Sequence, residues 1–336
     1  MKKRKELVNG LGVNRRRFLQ YSLAAGAIWS GGLGFQSIGE AQEKYPNKAI
    51  TIILPVPPGG TADIQTRGIQ PYLQNILGVP LAVESVPGAS GIIAYTRTFL
   101  SKPDGYTLMF FDSIIRACIN ERLQKVEYKT LEFTPIFAVS DQPLAWVVNP
   151  QVYQSLPQFL EAAKGKPMNV GTSGQGSTSH LYALLVTESL KFKARYVPFG
   201  GGAESLNSLI GKHLDAVSVS VGSSYGLVSS GTLKILFISA EKRSTVYPEF
   251  PTSKELGYAI PHIPFVNGFA GPPGLPKNIV KFLEEAFSKV MENPEYRAWA
   301  KKTKVDVTPL NAEEYKKVIE QGYNLLEKYP NLLKEM

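Results

Sequence analysis

The sequence predicts an α/β protein with two lobes, and two observations carry this prediction. First, short apolar runs rich in β-branched residues alternate with helical segments from residue 45 onward, which is typical of parallel sheets with helices on both faces. Second, glycine-rich loops follow the strand-like runs of the first half and again those of the second half. Ligands bind outside the carboxyl ends of the strands in such sheets, so we expect a binding site between the two sets of loops.

Residues 1–41 are predicted to be an export signal of the twin-arginine type, outside the folded protein. A lysine-rich start precedes the run Asn14-Arg15-Arg16-Arg17-Phe18-Leu19-Gln20, and an apolar stretch over 21–35 ends near the small residues Gly39 and Ala41. We expect cleavage near Ala41 and a periplasmic, or otherwise extracytoplasmic, mature protein. An uncleaved anchor is the alternative, but the stretch is shorter than the roughly 20 residues that a membrane-spanning helix needs.

The charge and the rare residue types exclude several classes of function. The first 41 residues hold seven of the 37 Lys and Arg and two of the 28 Asp and Glu, which leaves 30 and 26, a net charge of +4. This mild charge and the lack of a basic run interleaved with aromatics argue against nucleic acid as a partner. Cys118 is the single cysteine, so an intramolecular disulfide is impossible, and His180, His213 and His262 lack metal-ligand spacing. We therefore expect no metal and no cofactor.

The loop 55–63, Pro-Val-Pro-Pro-Gly-Gly-Thr-Ala-Asp, is the first candidate anion site. It joins the strand-like run 49–54 to a predicted helix whose start Thr61 or Asp63 can cap. The first N–H groups of a helix have no internal partner and carry the positive end of its dipole, so an anion can dock there without a cationic side chain. An ordinary strand-to-helix connection is the alternative. A nucleotide P-loop is not favoured because its lysine is missing.

The rest of the chain repeats the pattern of strand, loop and helix. We expect loops of the same kind at 87–91, at Asp112-Ser113, at 171–179 and at 200–203. The segments 133–149 and 261–276 are apolar or proline-rich without helical periodicity, and we expect them to carry the chain between two lobes. The helix after Pro276 and the last helix, which opens with Asn311 and Glu314 in a capping arrangement, are predicted to pack on the first lobe.

The chain also carries a series of short motifs in a fixed order. They are Tyr45-Pro46-x-Lys48, the loop 55–63, Pro87-Gly88-Ala89, Lys102-Pro103-Asp104-Gly105-Tyr106-Thr107-Leu108, Phe133-Thr134-Pro135, Ser173-Gly174-x-Gly176-Ser177-Thr178-x-His180-Leu181, Val197-Pro198-x-x-Gly201 and Pro251-Thr252. Together, from Tyr45 to about Tyr329, they resemble the extracytoplasmic solute receptors of the tripartite tricarboxylate transporter family, the Bug-type periplasmic binding proteins.

The resemblance implies a type II periplasmic-binding fold, in which two α/β lobes joined by two crossing strands close on a small carboxylate. We expect lobe 1 to comprise 45–145 and 267–336, and lobe 2 to comprise 146–266. Carried over to this sequence, the contacts in lobe 1 would be Pro57, Gly59, Gly60, Thr61 and Asp63, and those in lobe 2 would be Ser173, Ser177, Thr178 and Gly201. Ser113, at a strand end of the same edge, joins the lobe 1 set. The implied function is capture of a small carboxylate and its delivery to the permease subunits of a membrane transporter, with the receptor a monomer.

Several positions depart from the usual pattern of the family and bear on the choice of ligand. Arg116 stands where a small hydroxyl residue is common, and its planar guanidinium can pair with a second carboxylate if it faces the cleft. A solvated position on the helix surface is the alternative. Phe199 replaces a frequent tyrosine, Gly200 a frequent cation, and Val219 a usual aspartate. Residues 266–267, Val-Asn, stand in place of a Trp-Phe pair.

Two other classes of function stay open from the sequence. Gly222-Ser223-Ser224-Tyr225-Gly226 fits the G-x-S-x-G form of a hydrolase with Ser224 as nucleophile. The other residues that a serine hydrolase needs are scarce, since His262 is the one histidine downstream of Ser224 and the sequence has no segment typical of an oxyanion hole. We therefore expect a protein that is not an enzyme. A binding module that feeds a sensor, without transport, would use the same cleft.

Overall fold

The computed structural model describes residues 45–328 together with 331 and 334. The predicted signal segment and its cleavage point near Ala41 lie outside the described residues. The described chain forms two five-stranded sheets with helices on their faces, and the predicted α/β class is confirmed. Among the described helices, none combines the length and the hydropathy that crossing a membrane requires.

The first sheet has the strand order β2-β1-β3-β10-β4. Strand β1 pairs in parallel with β2 and β3, whereas β10 is antiparallel to both β3 and β4. The run Ile-Thr-Ile-Ile-Leu of β1 alternates between two cores, because Ile53 packs on one face of the sheet and Ile52 on the other. The strands are β1 (Ile50–Leu54), β2 (Leu81–Ser85), β3 (Thr107–Phe111), β4 (Thr134–Asp141) and β10 (Val266–Gly271).

The second sheet has the order β7-β6-β8-β5-β9. Strand β6 pairs in parallel with β7 and β8, and β5 is antiparallel to β8 and β9. The chain passes from the first sheet to the second between β4 and β5, and returns between β9 and β10. The limits proposed for the two lobes stay a prediction. The strands are β5 (Leu144–Val148), β6 (Met168–Thr172), β7 (Ala194–Pro198), β8 (Ala216–Ser220) and β9 (Lys234–Ile238).

Ten α-helices of the described chain cover the two sheets. One core lies between the first sheet and helices α1, α8 and α9. A second core contains residues of α2, α3 and α10, together with residues of α4 and α5, which flank the second sheet. A third core contains residues of α6 and α7. The helices are α1 (Thr61–Leu77), α2 (Ile92–Phe99), α3 (Ile114–Leu123), α4 (Leu156–Gly165), α5 (Thr178–Leu190), α6 (Gly202–Ile210), α7 (Val221–Ser229), α8 (Lys277–Glu292), α9 (Pro294–Thr303) and α10 (Ala312–Lys328).

The capping arrangement predicted for the last helix is confirmed. The Asn311 side chain accepts a hydrogen bond from the Glu314 N–H at 2.9 Å, and the Glu314 carboxylate accepts one from the Asn311 N–H at 3.0 Å. This reciprocal pair satisfies two donors at the start of α10. Tyr315 and Ile319 then lie in the same core as Phe111 and Ile115, so α10 packs on the first sheet as expected.

Candidate functional site

The loops singled out in the sequence leave the sheets at two common edges. Strands β1 and β3 are parallel neighbours, so α1 and α3 start at the same edge of the first sheet. Strands β6 and β8 are parallel neighbours in the second sheet, so α5 and α7 start together there. The site is built from the first turns of these four helices.

Side chains from the two edges are in direct contact. The Thr61 hydroxyl, in the first residue of α1, lies 2.9 Å from the Ser223 hydroxyl in α7. The Ser113 hydroxyl, which precedes α3, forms a hydrogen bond with the hydroxyl of Thr178 at the start of α5. The two contacts bring the N-termini of α1 and α7, and those of α3 and α5, face to face across the cleft. Each end carries partial positive charge, so the cleft attracts anions.

The loop 55–63 is held in shape by its own acidic residue. Gly59 has φ +86°, in the left-handed region that favours glycine, and its N–H donates to the Asp63 carboxylate at 3.0 Å. The same carboxylate accepts from Arg67 at 2.7 Å and is buried. Gly60, rather than Thr61 or Asp63, is the N-cap of α1, and no side chain caps it. Asp63 therefore positions the loop, and Pro57, Gly59 and Gly60 stay exposed.

The loop 171–179 is tied together by hydroxyl groups. Ser177 is the N-cap of α5: its hydroxyl accepts from the His180 N–H at 3.2 Å and donates to the Gly174 carbonyl at 2.7 Å. The hydroxyls of Ser173 and Ser179 lie 2.7 Å apart. The hydroxyls of Ser173, Ser177 and Ser179 are bonded within the loop, whereas the hydroxyl of Thr178 bonds to Ser113 at the edge of the first sheet.

Arg116 is neither solvated nor unpaired. Its guanidinium lies 2.9 Å from the Asp112 carboxylate, and its side chain is 11% exposed, so the expected alternative of a solvated arginine is wrong. Burial works to lower the pKa of Arg116, but Asp112 and Tyr95 raise it, and the net pKa lies above the ordinary value. Its Nε has no hydrogen-bond partner among the described residues. Because Asp112 balances its charge, Arg116 presents less net positive charge to its surroundings than an unpaired arginine would.

Phe199 and Gly201 lie in the connection between β7, which ends at Pro198, and α6. Phe199 is half-buried and packs against the core that holds α6 and α7. Gly201 is the N-cap of α6 with an extended backbone, and a Cβ built on it would have open space around it. On Gly202, by contrast, a Cβ would lie 2.7 Å from Val219. The start of α6 is thus open at Gly201 and closely packed one residue later.

Sequence reasoning missed the role of Ser223. In the sequence it belongs to the hydrolase-like motif 222–226, which lies within α7, the helix that directly follows β8. Ser224 is fully buried and its hydroxyl donates to the Val221 carbonyl, while His262 contacts Ser239. The sequence signal that points to Ser223 is its position just after the strand-like run 216–220. This run forms β8, whose parallel neighbour β6 leads into the loop 171–179. The described residues contain no cluster of His, Cys, Asp and Glu that could hold a metal ion.

Three comparisons place this geometry among known proteins. A family model described as the tripartite tricarboxylate transporter family receptor matches residues 65–334. The protein BugT of Bordetella pertussis is 31% identical over 258 residues, which cover 75% of this chain and 78% of BugT. The crystal structure of a TctC solute binding protein from Polaromonas is 29% identical, with a TM-score of 0.69, and covers 87% of this chain and 100% of its own.

A further solved structure shares the fold at lower identity. It is the protein MatC from Rhodopseudomonas palustris with bound malate, which is 24% identical, with a TM-score of 0.75 over 86% of this chain and 100% of MatC.

Proposed function

The chain belongs to the receptor family of the tripartite tricarboxylate transporters, and on this basis we propose that it captures a small carboxylate between two lobes and delivers it to a membrane transporter. The observation that carries the proposal is the meeting of four helix N-termini, those of α1, α3, α5 and α7, through the contacts of Thr61 with Ser223 and of Ser113 with Thr178. Such an arrangement binds negative charge through backbone donors.

Each lobe supplies part of the anion site. In lobe 1 the open loop residues Pro57, Gly59 and Gly60 surround the start of α1, with Thr61 beside them and Asp63 holding the loop. In lobe 2 the hydroxyl and backbone groups come from Ser173, Ser177, Thr178 and Gly201, with Phe199 as an apolar wall. Arg116 adds a positive charge that Asp112 largely balances, so backbone donors contribute most of the binding.

Capture works by closure of the cleft. The carboxylate docks first on the loop 55–63, and the second lobe then swings in and completes the shell. The solute shifts the equilibrium toward the closed form only to the extent that it binds this form better. Contacts such as Thr61 with Ser223 exist only when the two edges meet, so they belong to the closed form.

The family and the predicted export signal support the proposed location and partners. The protein works outside the cytoplasm after cleavage near Ala41, as a monomer, and its partners are the permease subunits of a tripartite transporter. A sensor kinase ectodomain is the competing partner. Co-purification with a permease pair supports transport, and reproducible association with a sensor ectodomain in its place contradicts it.

The site gives no support to catalysis. The one candidate nucleophile, Ser224, is buried in α7 and bonded to a carbonyl, and His262 is engaged by Ser239. A nucleophile must be exposed and within hydrogen-bond reach of its base. We therefore propose a receptor without enzymatic activity. Esterase turnover by the purified protein that disappears in Ser224→Ala would contradict this.

Thermal melting tests the proposed function. The mature protein is melted with a panel of mono-, di- and tricarboxylates, amino acids and aromatic acids, and the matched control for each is its methyl ester, which lacks the carboxylate charge. A ligand at 100 times its Kd stabilises the folded protein by about 2.7 kcal/mol, which raises the Tm by several degrees in a chain of this size. A shift with a carboxylate and none with its ester supports the proposal. Equal shifts with both would overturn it.

A further inference from the structure

A row of polar side chains lies beneath the contact between Thr61 and Ser223. The Gln65 side chain, one helical turn after Thr61 in α1, donates to the Ser140 hydroxyl at 3.0 Å. The Asn267 amide nitrogen donates to Gln65 Oε1 at 3.0 Å. Ser140 is the last residue but one of β4 and Asn267 is the second residue of β10, and the two residues are paired in the sheet. All three polar side chains are buried.

Gln142 extends this row toward the second sheet. It follows Ser140 by two residues, at the crossing from β4 to β5. Its Oε1 lies 3.1 Å from the position that a Cβ on Gly222 would take, next to Ser223. Gln142 thus lies beside the first turn of α7, whereas Asn267 is hydrogen-bonded to Gln65 of α1.

Three polar atoms of these two amides have no hydrogen-bond partner within the described residues. Gln142 is 1% exposed, and neither its Nε2 nor its Oε1 has a hydrogen-bond partner among the described residues. Asn267 is 2% exposed, and its Oδ1 also lacks a partner in the described part of the chain. Buried polar groups are nearly always hydrogen-bonded, because leaving one unpaired is unfavourable. The unpaired atoms point to a partner that arrives with the solute.

The chemistry of the unpaired atoms defines that partner. Gln142 offers one donor group and one acceptor in a plane, and Asn267 offers an acceptor. A carboxylate has no donor, so it would leave both acceptors unpaired and place its charge against them. A carboxamide supplies a donor group and an acceptor in the same plane and can form two antiparallel hydrogen bonds with the amide of Gln142.

We infer that the solute carries a neutral carboxamide group, in addition to its carboxylate, and that this group binds Gln142 and Asn267 at the floor of the cleft. The inference rests on the proposed function, since the carboxylate still docks on the helix N-termini. It makes Gln142 a residue that determines specificity and that acts by direct contact with the solute.

Calorimetric titration with matched compounds tests the inference on the protein purified after export. The probes are the half-amides of malonic, succinic and glutaric acid, each compared with its dicarboxylate and with a branched aliphatic monocarboxylate of the same shape. We expect at least one half-amide to bind roughly tenfold or more tightly than both matched compounds, as one or two buried hydrogen bonds imply. A dicarboxylate that binds as well as its half-amide would overturn the inference.

The variant Gln142→Met isolates the role of the side chain. It is expected to abolish the preference for the half-amide while the branched monocarboxylate binds as before. Gln151→Met, at an exposed position, is the control that should leave all affinities unchanged. Because Gln142→Met removes unpaired buried atoms, its Tm should not fall. A lower Tm with an unchanged preference would show a structural role and overturn the inference, whereas failure of every carboxylate to bind would overturn the proposed function itself.

Discussion

The Thr61 hydroxyl lies 2.9 Å from the Ser223 hydroxyl, although 162 residues separate them in the chain. The contact joins the first turn of α1 to the first turn of α7, and with it the edges of the two sheets. The contact therefore belongs to the proposed anion site. In the proposed closure it stabilises the closed form.

Removal of this contact should weaken solute binding. Thr61→Val and Ser223→Ala each delete one hydroxyl, and together they should lower the affinity by about fivefold, or about 1 kcal/mol, because the closed form loses one hydrogen bond. Calorimetry of both single variants and the double variant measures the coupling. Ser229→Ala is the control, since its hydroxyl bonds within α7 at an exposed position. Additive effects of the two single changes would show that the contact does not act in binding.

Backbone donors should matter more than the arginine. Gly60→Val places a branched side chain at the exposed start of α1 and should lower carboxylate affinity more than Arg116→Ala does. Gly165→Val is the control, because a Cβ there meets open space at the end of α4, and a Cβ on Gly60 meets only the Pro57 carbonyl oxygen at 3.9 Å. The affinities are compared with the same carboxylate. If Arg116→Ala has the larger effect, the guanidinium and not the backbone holds the anion.

Arg116→Ala should nevertheless destabilise the fold. It leaves the Asp112 carboxylate buried without its 2.9 Å partner, which lowers the free energy of unfolding by roughly 3 kcal/mol. Chemical denaturation measures this loss. The double variant Asp112→Asn with Arg116→Ala should recover part of it, because no unpaired charge remains. A single variant as stable as the wild type would mean that the ion pair contributes nothing.

His180 should make the protein less stable in acid. Burial lowers the pKa of His180 to about 4, below the value of about 6.5 expected in the unfolded chain. The unfolded chain therefore takes up the proton first, so the stability that neutral His180 contributes is present above about pH 6.5 and is lost as the pH falls to about 4. The loss amounts to about 3 kcal/mol.

The variant His180→Asn checks this pH dependence. Its side-chain oxygen can still accept from the Gly176 N–H, which donates to His180 Nδ1 at 3.4 Å. The difference in free energy of unfolding between wild type and variant should shrink as the pH falls from 6.5 to 4. A difference that stays constant over this range would mean that His180 does not titrate between the two states.

Local features of the fold were predictable from the sequence. The strand β1, the helix after the loop 55–63 and the capping pair Asn311 and Glu314 depend on residues near one another in the chain. Periodicity reveals the strand and the helix, and capping chemistry reveals the start of α10, whereas the cap of α1 is Gly60 and neither of the two predicted residues. The chain order of the motifs then indicated the family, which the comparisons show.

The contacts across the cleft were not predictable in the same way. The pairing of Thr61 with Ser223 depends on how two sheets are placed, which no local pattern encodes. The ion pair of Arg116 with Asp112 has the spacing of helical neighbours, but the burial that makes it tight comes from distant parts of the chain. The unpaired amide of Gln142 is visible only once its surroundings are known.

Small-angle X-ray scattering, with and without a saturating carboxylate identified by thermal melting, tests whether the two lobes close on the solute. We expect the carboxylate to lower the radius of gyration, because the two lobes close on the anion, and its methyl ester to leave the radius unchanged. A radius of gyration that is the same with and without the bound carboxylate would contradict capture by closure.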